Sequence, residues 1–174
     1  MATTFPTTID SYTTKVNNVD TITASHVNDL QDAMVATETI LGASSTRAIS
    51  WTPTVAFSGG STSMTYTSVG FYARFGSMIF LHGEFLFSAK GTSTGDLRVT
   101  NIPVASLSNA PCTITCSFYN NNWTTLQPII ARTGGSSSQI IDFYSLSGTT
   151  WTRVTDTHVQ NTSGCRFSGF YFHA

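Results

Sequence analysis

The sequence predicts a mainly β protein: a jelly-roll-like antiparallel β-sandwich preceded by an extended arm and one amphipathic helix. Three observations lead there. From Trp51 onward, runs of about five to eight residues rich in β-branched and aromatic side chains alternate with polar clusters such as "SGGSTS", "AKGTSTGD", "RTGGSSSQ" and "QNTSGC", the punctuation of short strands and turns. No helical periodicity interrupts them, which favours a sandwich over an α/β fold. One stretch near the front, "TITASHVNDLQDAMVATETILG" (Thr21 to Gly42), alone carries the three-and-four spacing of a helix.

The elements follow in chain order. Residues 1–22 form the predicted arm: Thr-rich, interrupted by Pro6, and averse to helix. Such a segment either lies disordered or is ordered by pairing its backbone with a neighbour's sheet edge. Residues 23–42 form the helix. Thr23 or Ser25 supplies a hydroxyl to cap its first turn, and Gly42 supplies the left-handed residue that ends it.

Val27, Leu30, Met34, Thr37 and Leu41 make a stripe of about two heptads, flanked by Ala33 and Ile40, with Asn28, Asp29, Gln31, Asp32 and Glu38 elsewhere. Two heptads are too few for a stable free coiled coil. The stripe therefore packs either on the chain's own β-domain or around a symmetry axis with copies of itself, and the second is the expectation here.

A linker, 43–50, leads to the β-domain, 51–174. Strands are predicted near 51–57, 64–75, 78–88, 95–102, 112–119, 126–132, 139–145, 150–156 and 165–173. The strongest hairpin is "FYARFGSMIFLHGEFLF", with Gly76-Ser77 as its turn.

Composition bounds function. The chain has 174 residues, enough for one core with an appendage. Charged residues are 10% of it and the net charge is -1, whereas Ser and Thr make up about 30%; hydroxyls rather than charges form the polar surface. Residues 1–50 carry a net -3 and the remainder +2, and neither half shows the clustered Lys and Arg of a nucleic-acid footprint. No apolar run approaches the ~20 residues of a membrane helix. "MATTFPTTID" has neither the basic nor the apolar region of a secretory signal, so a soluble protein made without one is expected, with no nucleic-acid or membrane partner.

Cys112 and Cys116, four apart in a strand, would lie on one face about 13 Å from each other, too far for a disulfide. With Cys165 they make an odd count, without CxxC or a His pair. Free thiols filling a core are expected, and no metal or cofactor.

Candidate chemistry is sparse. His82 and Glu84, two apart in a strand, share a face and form the best acid–base pair available. A polar pair turned to solvent or to a neighbouring subunit explains that spacing as well, and no catalytic residue is assigned. The serines lack a GxSxG elbow. "SGG" and "TGG" lack the lysine and spacing of a phosphate loop. Trp123, in the polar loop "NNNWTT", is the residue best placed to stack on a sugar ring, ahead of Trp51 and Trp151, although tryptophans usually fill core or interface.

Two segments carry a family resemblance. "FPTTIDSYTTKVNNVDTITASHVNDLQDAMVATETILG" resembles the N-terminal module of tailed-bacteriophage structural proteins, in which an extended arm leads into a helix of the "HxNDLQDA" type. "GFYARFGSMIFLHGEFLFSAKGTSTGDLRVTNIPVAS", with its Ile102-Pro103 pair, and the closing "CRFSGFYFHA" resemble the trimeric β-domain of phage fibre, spike and head-decoration proteins. The resemblance implies a homotrimer with the helices on its three-fold axis, so that Val27, Leu30, Met34, Thr37 and Leu41 become its seam.

It also implies a non-enzymatic protein of the virion surface, made in the host cytoplasm. The arm would anchor it through Phe5, Ile9 and Tyr12 to the major capsid protein or another virion protein. Because a short arm and about two heptads lead straight into the β-domain, a capsid decoration (cement) or head-fibre protein is expected. The alternative is a short tail fibre or spike tip that binds host surface glycan.

Overall fold

The computed structural model of the chain describes residues 21–41, 48–107, 111–123, 128–133 and 139–173. The chain divides into two units, Met1–Arg47 and Ala48–Ala174. Phe5, Ile9, Tyr12 and Gly42 lie outside the described residues.

In the first unit, α1 spans Ala24–Leu41. Thr23 is its cap: the Thr23 N–H donates to His26 Nδ1 at 3.0 Å, and Thr23 Oγ1 lies 2.9 Å from the same nitrogen and 2.7 Å from Ser25 Oγ. This is one arm of a capping box, the N-cap N–H bonded to the side chain three residues on, with histidine at the position usually held by Glu or Gln. The Thr37 and Thr39 hydroxyls donate back to the Ala33 and Val35 carbonyls, at 2.9 and 2.8 Å, so they are satisfied within the helix.

In the second unit the strands are β1 (Ile49–Trp51), β2 (Thr54–Phe57), β3 (Thr65–Phe75), β4 (Met78–Ala89), β5 (Leu97–Thr100), β6 (Thr113–Tyr119), β7 (Ile129–Thr133), β8 (Ile140–Ser147), β9 (Thr150–Arg153) and β10 (Gly164–Phe172). They pair antiparallel in the order β1-β3-β4-β10-β6-β7-β8-β5-β2, with β9 added to β8. A one-turn 3-10 helix, Asp156–His158, precedes β10. It opens as α1 does, with the Thr155 N–H donating to His158 Nδ1 at 2.9 Å.

The antiparallel, mainly β character matches the expectation, and the jelly-roll-like sandwich is corrected. Instead of two facing sheets, the strands follow one continuous path. Its two end strands, β1 and β2, are separated in sequence only by Thr52 and Pro53, so the sheet curls round on itself as a half-barrel. The same joint splits the single strand expected over 51–57. Pro53 has no N–H to continue a ladder; before it the chain pairs with β3, after it with β5. Ser68 Oγ donates to the Pro53 carbonyl at 2.8 Å and the Val55 N–H to Tyr66 Oη at 3.1 Å, tying the joint to β3.

The core lies inside the roll. β4 alternates strictly, sending Ile79, Leu81, Phe85 and Phe87 inward, where they meet Leu97 and Val99 of β5, Phe143 of β8, and Phe167 and Tyr171 of β10. Phe85 stands edge-on to Phe87, Phe118 and Phe143, with ring centres 5.5, 6.3 and 6.0 Å away. Burying a ring of this size stabilises by about 1.5–3 kcal/mol.

One inner row, Trp51–Gly70–Gly83–Phe167, crosses four strands. The two rings lie over the two glycines, where an added methyl would collide with them, and Trp51 Nε1 reaches the His82 carbonyl at 3.3 Å. Cys112, Cys116 and Cys165 are free thiols. Cys165 is fully buried, and burial together with a hydrogen bond to Cys116 pushes its thiol well above the usual range.

Candidate functional site

The hairpin that builds the core also builds an unusual outer face. Gly76, with a φ of 58°, takes the first central position of its two-residue turn, where the II′ type demands glycine. From there β3 and β4 pair from Phe75↔Met78 to Thr65↔Ala89, and β10 pairs with β4 from Phe172↔Met78 to Gly164↔Leu86. Side chains opposite each other share a face, so the outward rows are Ala73–Phe80–Phe170, then Phe71–His82–Ser168, then Val69–Glu84–Arg166.

The apolar end of this face is open. Phe71, Phe80 and Phe170 are 45%, 46% and 46% exposed, Phe75 and Val69 are exposed on either side of them along β3, and Leu86 is exposed beyond the Glu84 row. Phe80 and Phe170 touch at 6.1 Å between ring centres. Together with Phe71, Ala73, His82 and Ser168 they line a shallow cleft of about 410 Å³.

The polar end is closed upon itself. His82 and Glu84 do share a face, as their spacing requires, but Glu84 is engaged elsewhere. Tyr119 Oη and Arg166 Nε each donate to Glu84 Oε1 at 3.0 Å. The Tyr119 hydrogen bond, aided by Arg166 and opposed by burial, holds the Glu84 carboxyl below its usual range. Burial and the Glu84 hydrogen bond raise the Tyr119 phenol. Glu84 is thus an ionised acceptor rather than a proton donor, an arrangement suited to holding strands in register.

A second outer surface, over β5, β8 and β9, is built from charges. Arg153 Nη1 pairs with Asp96 at 2.9 Å and its Nη2 with Asp142 at 3.3 Å. Arg98 Nε faces Asp142 Oδ1 at 3.7 Å. Arg132 and Arg153 lie over the Tyr144 ring, 5.8 and 5.9 Å from its centre.

On α1, Val27, Leu30 and Met34 are 48%, 57% and 57% exposed. Thr37 is exposed with its hydroxyl bonded to Ala33. The Leu41 side chain lies outside the described residues. Trp123 is half-buried, edge-on to Phe118 at 5.3 Å and tilted against His158 at 5.7 Å, and its buried Nε1 has no hydrogen-bond partner among the described residues. More of that indole meets protein than solvent. Trp151, on β9, is exposed.

Among the described residues no group of three or more His, Cys, Asp or Glu could hold a metal, and no helix is long and apolar enough to cross a membrane.

No family model matches the sequence, and no curated protein matches it. Among solved structures the fold is similar to that of the Dettilon tailspike protein (gp208), with a TM-score of 0.63 and 18% identity over 72% of this chain and 23% of that one. The likeness is one of fold. The chain spans less than a quarter of that protein's length.

Sequence reasoning assigned the helical stripe and the His82–Glu84 pair and missed the aromatic face. Its signal was present. "MIFLHGEFLF" places Phe80 and Leu86 on the face opposite Ile79, Leu81, Phe85 and Phe87.

Proposed function

We propose that the chain is a non-enzymatic structural protein of a tailed-bacteriophage virion, assembled as a homotrimer and anchored to the particle by its arm through Phe5, Ile9 and Tyr12. The observation that carries assembly is the exposure of Val27, Leu30 and Met34 along one side of α1. A helix of 18 residues is marginal in water without a partner, and a three-fold seam supplies one. The similarity of fold to a tailspike protein supports the phage assignment.

Leu30→Asp tests the seam. It would set a charge against an apolar axis, and the expected result is a trimer in the wild type and a lighter species in the variant. Light scattering that finds the wild type monomeric at micromolar concentration removes the reading.

Two placements suit such a trimer. The fold likeness to a tailspike favours a short tail fibre or spike tip, whose loops would meet a host surface glycan. The other placement is capsid decoration, in which the protein would contact the major capsid protein and stabilise the shell by shared buried area. Copy number separates them: a tail protein is present in tens of copies or fewer, a decoration protein in hundreds. In either place the function is mechanical. The best acid–base candidate is bound up in the Glu84–Tyr119–Arg166 cluster, so incubation with host polysaccharide should release no new reducing ends.

A further inference from the structure

We propose that the aromatic face of β3, β4 and β10 is an interface between copies of this chain, with an apolar side chain of a second copy seated in the cleft between Phe71, Phe80 and Phe170. The inference rests on the assembly reading above and adds a contact surface on the β unit to the seam on α1.

Area is the first argument. Val69, Phe71, Phe75, Phe80, Leu86 and Phe170 are all exposed large apolar residues. An aromatic side chain presents 150–250 Å² and the four phenyl rings among them are roughly half open, so they alone offer about 400 Å² of apolar surface. A standard specific interface takes about 800 Å² from each partner. The patch supplies the centre of such an interface, and the polar rows around it supply a rim.

Charge is the second. The positions bordering the rings are hydroxyls: Ser168 beside His82, then Thr115 and Ser117 on β6 in line with Ser168 and Arg166. The nearest charges, Glu84 and Arg166, neutralise each other at 3.0 Å. Because a hydroxyl both donates and accepts, an apolar centre with a neutral hydroxyl rim is complementary to another surface of the same kind. A copy of this chain, with 10% charged residues and a net charge of -1, approaches it almost without repulsion. Among the described residues, the carboxylate and guanidinium of this face, Glu84 and Arg166, are already paired, which leaves an acidic or basic partner little to meet.

Rigidity is the third. The rings stand on the longest strands of the sheet, paired along their lengths, so little ordering remains to oppose association.

The test uses the full chain. Phe80→Asp and Phe170→Asp point away from the core, and circular dichroism checks that they fold; Phe80→Ser replaces them if they do not. Light scattering over a dilution series is run on wild type, these variants and Leu30→Asp. The expected result is an oligomeric wild type and, for the Phe80 and Phe170 variants, an association midpoint raised about tenfold or more, equivalent to about 1.4 kcal/mol. An oligomeric wild type with variants of unchanged mass and midpoint overturns the interface while leaving the α1 seam standing. Variants that keep their mass but no longer bind particles also overturn it, since the face then belongs to another virion protein. A monomeric wild type removes the assembly reading and this inference with it.

Discussion

The half-barrel presents two outer faces built on opposite principles. Over β5, β8 and β9, Asp96, Arg98, Asp142 and Arg153 pair as ions across strands far apart in sequence, with Arg98 Nε and Asp142 Oδ1 facing each other at 3.7 Å, buried and short of a hydrogen bond. Over β3, β4 and β10, four phenyl rings, those of Phe71, Phe75, Phe80 and Phe170, stand about half in water. The charged face closes its bonds within one chain and gains little from being covered. The aromatic face leaves apolar area that only burial recovers. The ion pairs that stabilise the single chain and the face proposed to associate therefore lie on different sides of one sheet, and substitutions can separate them.

The largest effect should come from the charged side. Asp142→Ala leaves Arg98 and Arg153 without the carboxylate between them, and because Asp142 is buried the loss should be about 3 kcal/mol, read by urea unfolding. A loss under ~0.5 kcal/mol would mean that the network behaves as a solvated surface pair.

Next is the inner side of the aromatic sheet. Gly83→Ala pushes the Phe167 ring off its seat, and overpacking of this kind should cost about 2 kcal/mol in the same assay. An unchanged midpoint would show that the ring shifts freely.

A smaller, pH-dependent effect belongs to Glu84, at the boundary between apolar and paired surface. Its folded pKa lies below the ordinary 4.5. Its contribution is therefore full above that value and is lost as pH falls through the folded pKa. Glu84→Gln should flatten the stability profile in acid by less than ~1 kcal/mol, because Arg166 is largely exposed. Equal acid slopes in both proteins would discard the assignment.

Smallest of all, Phe80→Ser should change the unfolding free energy of the dilute chain by no more than about 0.5 kcal/mol. A large loss there would mean that the ring supports the fold itself, and the contrast between the faces would collapse.

Much of this architecture was legible because local rules govern it. Thr23 caps α1, Gly76 turns the hairpin, and the period-two pattern of β4 divides inner from outer residues without reference to any other strand. What escaped depends on pairing at a distance. A list of strands does not say that β5 lies against both β2 and β8, which is why a sandwich was expected where one sheet rolls.

Pro53 was visible, yet its effect follows from having two different neighbours to choose between. His82 and Glu84 were placed on one face correctly. Their chemistry was not legible, because the groups that engage Glu84 come from Tyr119 and Arg166, 35 and 82 residues away. The exposed phenyl rings were overlooked for another reason. Apolar residues in a strand are ordinarily credited to its core, and only the register separates those that line it from those that turn away.

The position of β10 sets a timetable. It lies in the middle of the sheet, between β4 and β6, yet it follows every other strand in the sequence. While the chain emerges from the ribosome, β4 and β6 wait with open edges for the strand that joins them, and contacts that span such long stretches form slowly. The sheet cannot be completed strand by strand during synthesis. A chain halted before Gly164 would carry two raw edges, each a template for pairing with the wrong neighbour.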